Sequence, residues 1–188
     1  SAINKELFPW LTALFPLWSK LTPESHRLAT RLALTELLMS GCTTAADHHY
    51  LFARGCENAI DIQVEEAKAL GVRMMICRGS MDLSQKDGAM PPESVVQDRD
   101  TILSDCERVV SRYHERGEGA MIQIALAPCT PFTASKELMI ATAKLAGWER
   151  PLAKEAPPTA DDPLSYAEPA AFPVRTPLGA GVVGLGLG

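Results

Sequence analysis

The chain has 188 residues, of which 46% are hydrophobic and 22% are charged, so it carries enough apolar side chain for one packed domain. Its formal net charge is −5 and its isoelectric point is about 5.4. This acidic balance offers no basic stripe along which a phosphate backbone could lie, so nucleic-acid binding is disfavoured.

The spacing of the cysteines and the hydropathy of the chain indicate the cellular compartment of the protein. The five cysteines are widely spaced and include no CxxC pair, which is typical of free thiols in a reducing environment. No signal peptide is recognisable, and no apolar run approaches the roughly 18–20 residues of a membrane helix. We therefore expect a cytoplasmic protein without a membrane partner.

Two helices are predicted before the first strand. Residues 5–20 carry apolar side chains at helical spacing and two prolines, which predicts a short, kinked helix. Trp10 lies on this helix and either docks it on the core or lines a pocket. Thr22-Pro23-Glu24 is a favourable helix start, and the second helix should run to about Met39 with Gly41 as its cap. The apolar stripe expected on this second helix comprises Leu28, Leu32, Thr35 and Leu38.

Three short apolar runs are predicted to be buried strands, and polar or reactive side chains follow each of them. These runs cover residues 42–47, 72–78 and 121–127. The helices expected between and after them cover residues 57–70, 99–116 and, from a start at 133 or 135, to 146. A turn-rich loop at residues 83–98 separates the second strand from its helix, and its charges, with Asp82, are expected to be solvated.

The alternation of helices and strands indicates parallel strands joined by crossover helices. Polar residues cluster after the strands, as they do at the functional face of a (β/α) barrel or a doubly wound sheet. No glycine-rich phosphate loop follows any strand, which favours the barrel. A complete eight-stranded barrel takes about 250 residues, so we predict an α/β fold that is a partial (β/α)8 barrel over residues 1–147.

Residues 148–188 differ in character from the rest, because they contain seven of the fourteen prolines and end in a run of Gly, Leu and Val. Proline excludes long helices and central strands, so an irregular tail is predicted. It is either a natural flexible extension or the product of a shifted reading frame that begins near Gly147.

The side chains at the predicted strand ends are the candidate site residues. His48 and His49 are adjacent and so point to opposite faces of a strand, where they cannot easily bind one metal; HxH and HxxxH pairs are absent from the sequence. One of them could reach a pocket, and each could instead be structural. His26 and His114 are expected to be solvated on polar helix faces.

Arg78 and Cys129 stand at the ends of the second and third predicted strands. Arg78 could donate to a carbonyl or an anion, or form an ion pair with Asp82 or Asp47. Cys129 could line a pocket or simply pack, since the sequence supplies no neighbouring base to activate its thiol.

Three stretches carry a family resemblance: LFPWLTALFPLWSKLTPESHRLATRLALTELLMSGCTTAADHHYLF, EEAKALGVRMMICRGSMDLS and QIALAPCTPFTASKELM. Here the chain resembles the amidohydrolase superfamily, and within it the 8-oxoguanine deaminase branch, near the hydroxyatrazine and triazine hydrolases and the guanine deaminases. The resemblance covers roughly residues 3–146 and matches the second to fourth barrel strands with their helices.

The resemblance implies a barrel that holds one divalent metal, zinc or iron. This metal activates a water that attacks an amino-bearing ring carbon, and ammonia leaves. The HxH on the family's first strand and its later His, Glu and Asp motifs cannot be placed in this sequence. Catalytic residues and metal ligands are therefore not assigned, and Trp10, His48, His49, Arg78 and Cys129 are substrate-pocket candidates.

The expected function is that of a fragment of a metal-dependent aminohydrolase, inactive by itself, whose parent deaminates a small purine-like heterocycle of the 8-oxoguanine type. The alternative is a small non-catalytic α/β module. Its open sheet edges would then favour self-association or a partner.

Overall fold

The computed structural model describes residues 2, 4–147 and 172–173. Apart from Phe172–Pro173, the predicted tail at 148–188 lies outside the described residues, so the boundary at 147 stays a prediction. None of the described helices is both long and apolar enough to cross a membrane. The elements are α1 (Leu7–Trp18), α2 (Pro23–Met39), β1 (Thr44–His49), α3 (Ala59–Leu70), β2 (Arg73–Ser80), α4 (Arg99–Tyr113), β3 (Ile122–Pro128), α5 (Lys136–Leu145) and β4 (Phe172–Pro173).

The sheet has the order β1-β2-β3-β4, and its first three strands are parallel. Asp47 of β1 lies beside Ile76 of β2, which lies beside Ile124 of β3. The backbone of β4 pairs antiparallel with β3. Helices α3 and α4 connect the parallel strands, so the predicted α/β fold is confirmed as a short parallel sheet consistent with part of a barrel.

Local capping explains why several helices start and end close to where the sequence predicts. Thr22 and Ser25 form a reciprocal capping box before α2, and their main-chain-to-side-chain bonds are 3.1 and 2.8 Å long. Ser135 accepts a 3.1 Å bond from the Leu138 amide at the start of α5. Gly71 ends α3 with a φ of 69°, the left-handed conformation that glycine adopts without strain.

Helix α2 presents a different face to the core from the expected one. Its buried residues are His26, Thr30 and Leu34, whereas Leu28 and Leu32 of the predicted stripe are exposed. The helix is held in this rotation by two contacts with α3, an ion-pair cluster and a bond from the His26 ring to a main-chain carbonyl. The expectation of a solvated His26 was therefore wrong.

Strand β1 differs from its prediction in both limits and burial. It covers Thr44–His49 rather than 42–47, and its residues are exposed or half-buried. Among the described residues it pairs only with β2, so one edge and part of one face remain uncovered. The predicted buried strand is thus a half-exposed edge strand.

The two faces of the sheet carry side chains of different size. Large apolar residues of β2 and β3 pack against the helices in the main core, among them Ile76, Ile124 and Leu126. The opposite face carries Met75, Cys77, Ala125 and Ala127. We call these the helix side and the inner side of the sheet. Small residues on the inner side leave room there, as the interior of a partial barrel requires.

We expect position 79 to require glycine, because the main chain at the end of β1 lies too close to it for a side chain. A Cβ atom at this position would lie 2.6 Å from the His49 carbonyl oxygen and 2.7 Å from the Tyr50 Cβ. We expect Gly79→Ala to lower the free energy of unfolding by about 1–3 kcal/mol, the range for overpacking. Ala46→Val, an exposed enlargement on β1, is the control and should change it by less than about 0.5 kcal/mol. Equal effects of the two substitutions in urea titrations would contradict the close approach.

Candidate functional site

An apolar cluster covers the carboxyl ends of the three parallel strands. Tyr50 follows β1, Met81 follows β2 and Cys129 follows β3, and all three belong to one cluster with side chains of α1. Helix α1 therefore lies across the strand ends. This strand-end cluster comprises Leu11, Phe15, Trp18, Tyr50, Leu51, Met81, Met90, Val95, Val96 and Cys129.

His48 lies on the inner side of the sheet and reaches towards the same end. Its Nε2 atom is 3.0 Å from the carbonyl oxygen of Ala127 on β3, and its ring meets Tyr50 edge-on with centroids 5.4 Å apart. A carbonyl can only accept, so in the neutral ring Nε2 carries the proton and Nδ1 is the acceptor. His48 thus offers one free acceptor beside the strand-end cluster.

Tyr50 and Cys129 of the strand-end cluster keep their protons at neutral pH. Burial raises the pKa of Cys129 to about 11 and that of Tyr50 to about 12. A protonated thiol is a poor nucleophile, so Cys129 acts here as a packed, neutral side chain. The face therefore combines aromatic and apolar surface with neutral hydrogen-bonding groups.

Trp10 is half-buried on α1 and adjoins the cluster through Trp18. The two indole rings meet edge-on with centroids 5.5 Å apart, while Trp18 in turn contacts buried Phe15 at the same separation. Both expected roles of Trp10 remain geometrically available. Its helix docks on the core through Phe15, and Trp10 lies at the margin of the strand-end face.

Arg78 does not face the inner side, as its placement at a strand end had suggested. It is wholly buried on the helix side, where Nε donates to Asp105 at 3.0 Å and Nη2 donates to Gln97 at 2.7 Å. Its guanidinium lies 3.9 Å from the centre of the Phe52 ring.

The expected ion pair exists, but its partner is Asp105 of α4 rather than Asp82 or Asp47. Arg78 lies two residues after Ile76 on β2, so both side chains point to the same face of the sheet, towards the helices.

His49 is also on the helix side, because adjacent strand residues point in opposite directions. Its ring lies 4.6 Å from that of His26 and 5.1 Å from that of Phe52. On the same strand face, Asp47 accepts a short hydrogen bond from Gln63. Within the described residues, His49 Nε2 and Gln63 Oε1 are buried without a hydrogen-bond partner. His49 therefore belongs to a polar cluster behind the sheet.

Two further expectations about solvated side chains were wrong. His114 bonds the Ile124 main chain through Nδ1 at 3.1 Å. Asp82 accepts a 2.6 Å bond from the Ser135 amide, and so ties the loop after β2 to the start of α5. The sequence hides these roles, because their partners are main-chain groups and side chains distant along the chain.

A shallow depression adjoins the strand-end cluster at Met90. It is also lined by Phe8, Leu83, Asp87 and Phe132. The five predicted site residues stand elsewhere, so the depression does not unite them. What the structure does bring together at the strand ends is His48, Cys129 and, through Trp18, Trp10.

The side chains needed to bind a metal do not converge in this part of the chain. Among residues 2, 4–147 and 172–173, no group of three His, Cys, Asp or Glu side chains is placed to hold a metal ion. Asp47 and His49 lie on the helix side and His48 on the inner side. The described residues therefore do not fit a metal centre by themselves.

Three parallel strands joined by crossover helices are consistent with a sector of a (β/α) barrel. The chain belongs to the amidohydrolase family, whose family model matches residues 4–149. This match includes every element from α1 to α5.

The chain is similar in sequence to a known deaminase and a known aminohydrolase. It is 58% identical to 8-oxoguanine deaminase of Pseudomonas aeruginosa over 144 residues, which are 77% of this chain and 32% of that protein. It is 34% identical to hydroxydechloroatrazine ethylaminohydrolase of Pseudomonas sp. strain ADP over 142 residues, 75% of this chain and 30% of that protein. The chain thus spans about a third of the length of these relatives.

A solved structure supports the same assignment. Atrazine chlorohydrolase from Arthrobacter aurescens TC1, complexed with zinc, superposes with a TM-score of 0.72 at 29% identity. The superposition covers 78% of this chain and 34% of that chain. A divalent metal is therefore found in the family.

The polar cluster behind the sheet should make stability fall in mild acid. Burial, reinforced by His26 and Arg78, lowers the pKa of His49 from 6.5 to about 3, and burial also lowers that of His26. The unfolded chain then binds protons at a higher pH than the folded chain does. We expect the free energy of unfolding to drop by about 1.5–2 kcal/mol between pH 6.5 and pH 5 through His49 alone.

His49→Phe should flatten this pH dependence, because it removes the imidazole that takes up the proton. Phenylalanine is chosen because the site beside the Phe52 ring accepts another aromatic side chain. The pKa values of Asp61 and Glu66 are lowered by their arginine partners. Protonation of these two carboxylates therefore lowers the free energy of unfolding at a lower pH than protonation of His49 does. Chemical unfolding at several pH values measures both effects. An unchanged slope in His49→Phe would show that the proton uptake occurs elsewhere.

Proposed function

We propose that this chain supplies the second to fourth strands of a metal-dependent aminohydrolase barrel that deaminates a small purine-like heterocycle of the 8-oxoguanine type. The observation that carries the proposal is the uncharged, aromatic face at the strand ends, in a chain 58% identical to an 8-oxoguanine deaminase. A planar, polar but uncharged ring is complementary to such a face.

The side chains on this face would hold and orient the ring. His48 Nδ1 accepts a hydrogen bond from a ring or amino N–H, while its Nε2 bond to Ala127 fixes the imidazole. Tyr50 remains a phenol and Cys129 a thiol, because burial raises their pKa values. Trp10 is proposed to border the bound ring. His49 and Arg78 support the strands from behind and do not touch it.

The hydrolytic step needs groups that other parts of the barrel would contribute. A divalent metal, zinc or iron, held by those other parts would supply the activated water for the deamination. The described residues supply no ligand set for it. This chain therefore provides a pocket wall and is expected to be inactive alone.

Five free cysteines, three of them buried, support the proposal that the protein works in the reducing cytoplasm. The half-exposed β1 edge favours a second candidate function, that of a non-catalytic module associating through its open sheet edge. The two readings differ in what happens when the missing barrel strands are restored.

A chimeric enzyme tests the proposal. Residues 4–147 replace the matching segment of the Pseudomonas aeruginosa 8-oxoguanine deaminase, which supplies the remaining strands. We expect the chimera to bind metal and to deaminate 8-oxoguanine, whereas the isolated chain with zinc or iron shows no turnover. A chimera that folds and binds metal but leaves 8-oxoguanine intact would contradict the proposal.

Substitution of His48 in the chimera tests its role at the ring. We expect His48→Ala to lower kcat/KM about 10- to 100-fold, the range for one lost hydrogen bond in a buried site. Gln123→Ala is the matched control, since it lies on the same strand face as Ala125 but at the exposed amino end of β3. It should leave kcat/KM within about twofold. Equal losses of kcat/KM in the two variants would show that His48 does not contact the bound ring.

A further inference from the structure

The outer face of α2 carries an exposed apolar seam. Leu28, Leu32 and Met39 are 55%, 62% and 84% exposed, and half-buried Thr35 stands between them. The steps along the seam are four, three and four residues, the spacing of the core positions of a coiled coil. Leucine and methionine at this spacing favour another helix as the partner.

The fold does not need this seam for its own core. The opposite face of α2 is the buried one, with His26, Thr30 and Leu34 packed inside the domain. The helix is also clamped to α3, since Arg31 Nε and Arg27 Nη1 lie 2.6 and 2.7 Å from the Glu66 carboxylate. A helix of 17 residues is marginal alone, but this one is held with its seam outward.

The charges beside the seam select one arrangement of two copies. Arg31 and Glu36 flank it on opposite edges and are five residues apart. In a parallel helix pair this spacing brings Arg31 of one copy opposite Glu36 of the other, twice across a two-fold axis. In an antiparallel pair the arginine edge and the glutamate edge do not meet. The guanidinium has five N–H donors, so Arg31 can bond Glu66 and a second carboxylate together.

We propose that α2 is a self-association surface, on which a second copy of this chain docks its own α2 in a parallel pair about a two-fold axis. Leu28, Leu32, Thr35 and Met39 form the seam, and two Arg31–Glu36 pairs border it. The threonine and the short length of the seam make the dimer reversible. This association is independent of the proposed deamination and of the β1 edge.

Sedimentation of the full 20.3 kDa chain across a wide concentration range tests the dimer. We expect a reversible monomer–dimer equilibrium that Leu32→Glu weakens at least about tenfold, as burying an unpaired charge requires. Leu17→Glu is the matched control, because Leu17 of α1 is 61% exposed against 62% for Leu32, and it should leave the equilibrium unchanged. Glu36→Lys should also weaken the dimer, since it places two cations opposite each other.

Oxidative cross-linking tests the orientation. In a parallel pair each seam residue faces its own counterpart, so Thr35→Cys should give a disulfide-linked dimer well above the level of the unsubstituted chain, and Leu17→Cys should not. A monomer at all concentrations overturns the proposal. So does a dimer that survives Leu32→Glu, which would place the contact elsewhere, or one that Thr35→Cys fails to cross-link, which would exclude the parallel pair.

Discussion

The structure depends on one geometric constraint, the alternation of side chains along three parallel strands held in register. Asp47, Ile76 and Ile124 lie side by side on the helix side of the sheet. One residue further along, His48 and its neighbours lie on the inner side. A single step in sequence therefore decides whether a polar side chain faces the inner side of the sheet or the helices behind it.

This constraint divides the polar residues into two groups, one behind the sheet and one in front of it, which differ in charge and in surroundings. Behind the sheet, Arg78, Asp105 and the histidines His26 and His49 form a buried network in which charge is compensated or suppressed. In front of it, His48 bonds the Ala127 carbonyl, and Tyr50 and Cys129 are neutral groups whose pKa values are raised by burial. The network behind fixes the strands and α2, and this leaves the front free to bind a ligand.

The sequence indicates the local features well, because the groups that determine them are close together. The cap at Thr22, the start of α5 at Ser135 and the end of α3 at Gly71 follow from residues within one turn. The family resemblance likewise identifies the barrel sector, whereas periodicity and length alone indicate only an incomplete α/β fold.

The side on which Arg78 lies was mispredicted because both faces of β2 are apolar, so alternation alone does not identify the helix side. Residue size does carry that signal, since small Cys77 and Gly79 alternate with large Ile76 and Arg78. The face of α2 was misassigned for a related reason. Leu28 and Leu32 of the expected stripe are exposed, and His26 is buried by a bond to a main-chain carbonyl that no pattern in α2 predicts.

The central claim is that the strand-end face of this chain is the wall of a ring-binding pocket. The most direct measurement is a crystal structure of the chimeric enzyme with a bound purine-like heterocycle. We expect the ring to contact His48 and to lie against the strand-end cluster, with Arg78 and His49 out of reach behind the sheet. A ring bound away from that cluster would contradict it.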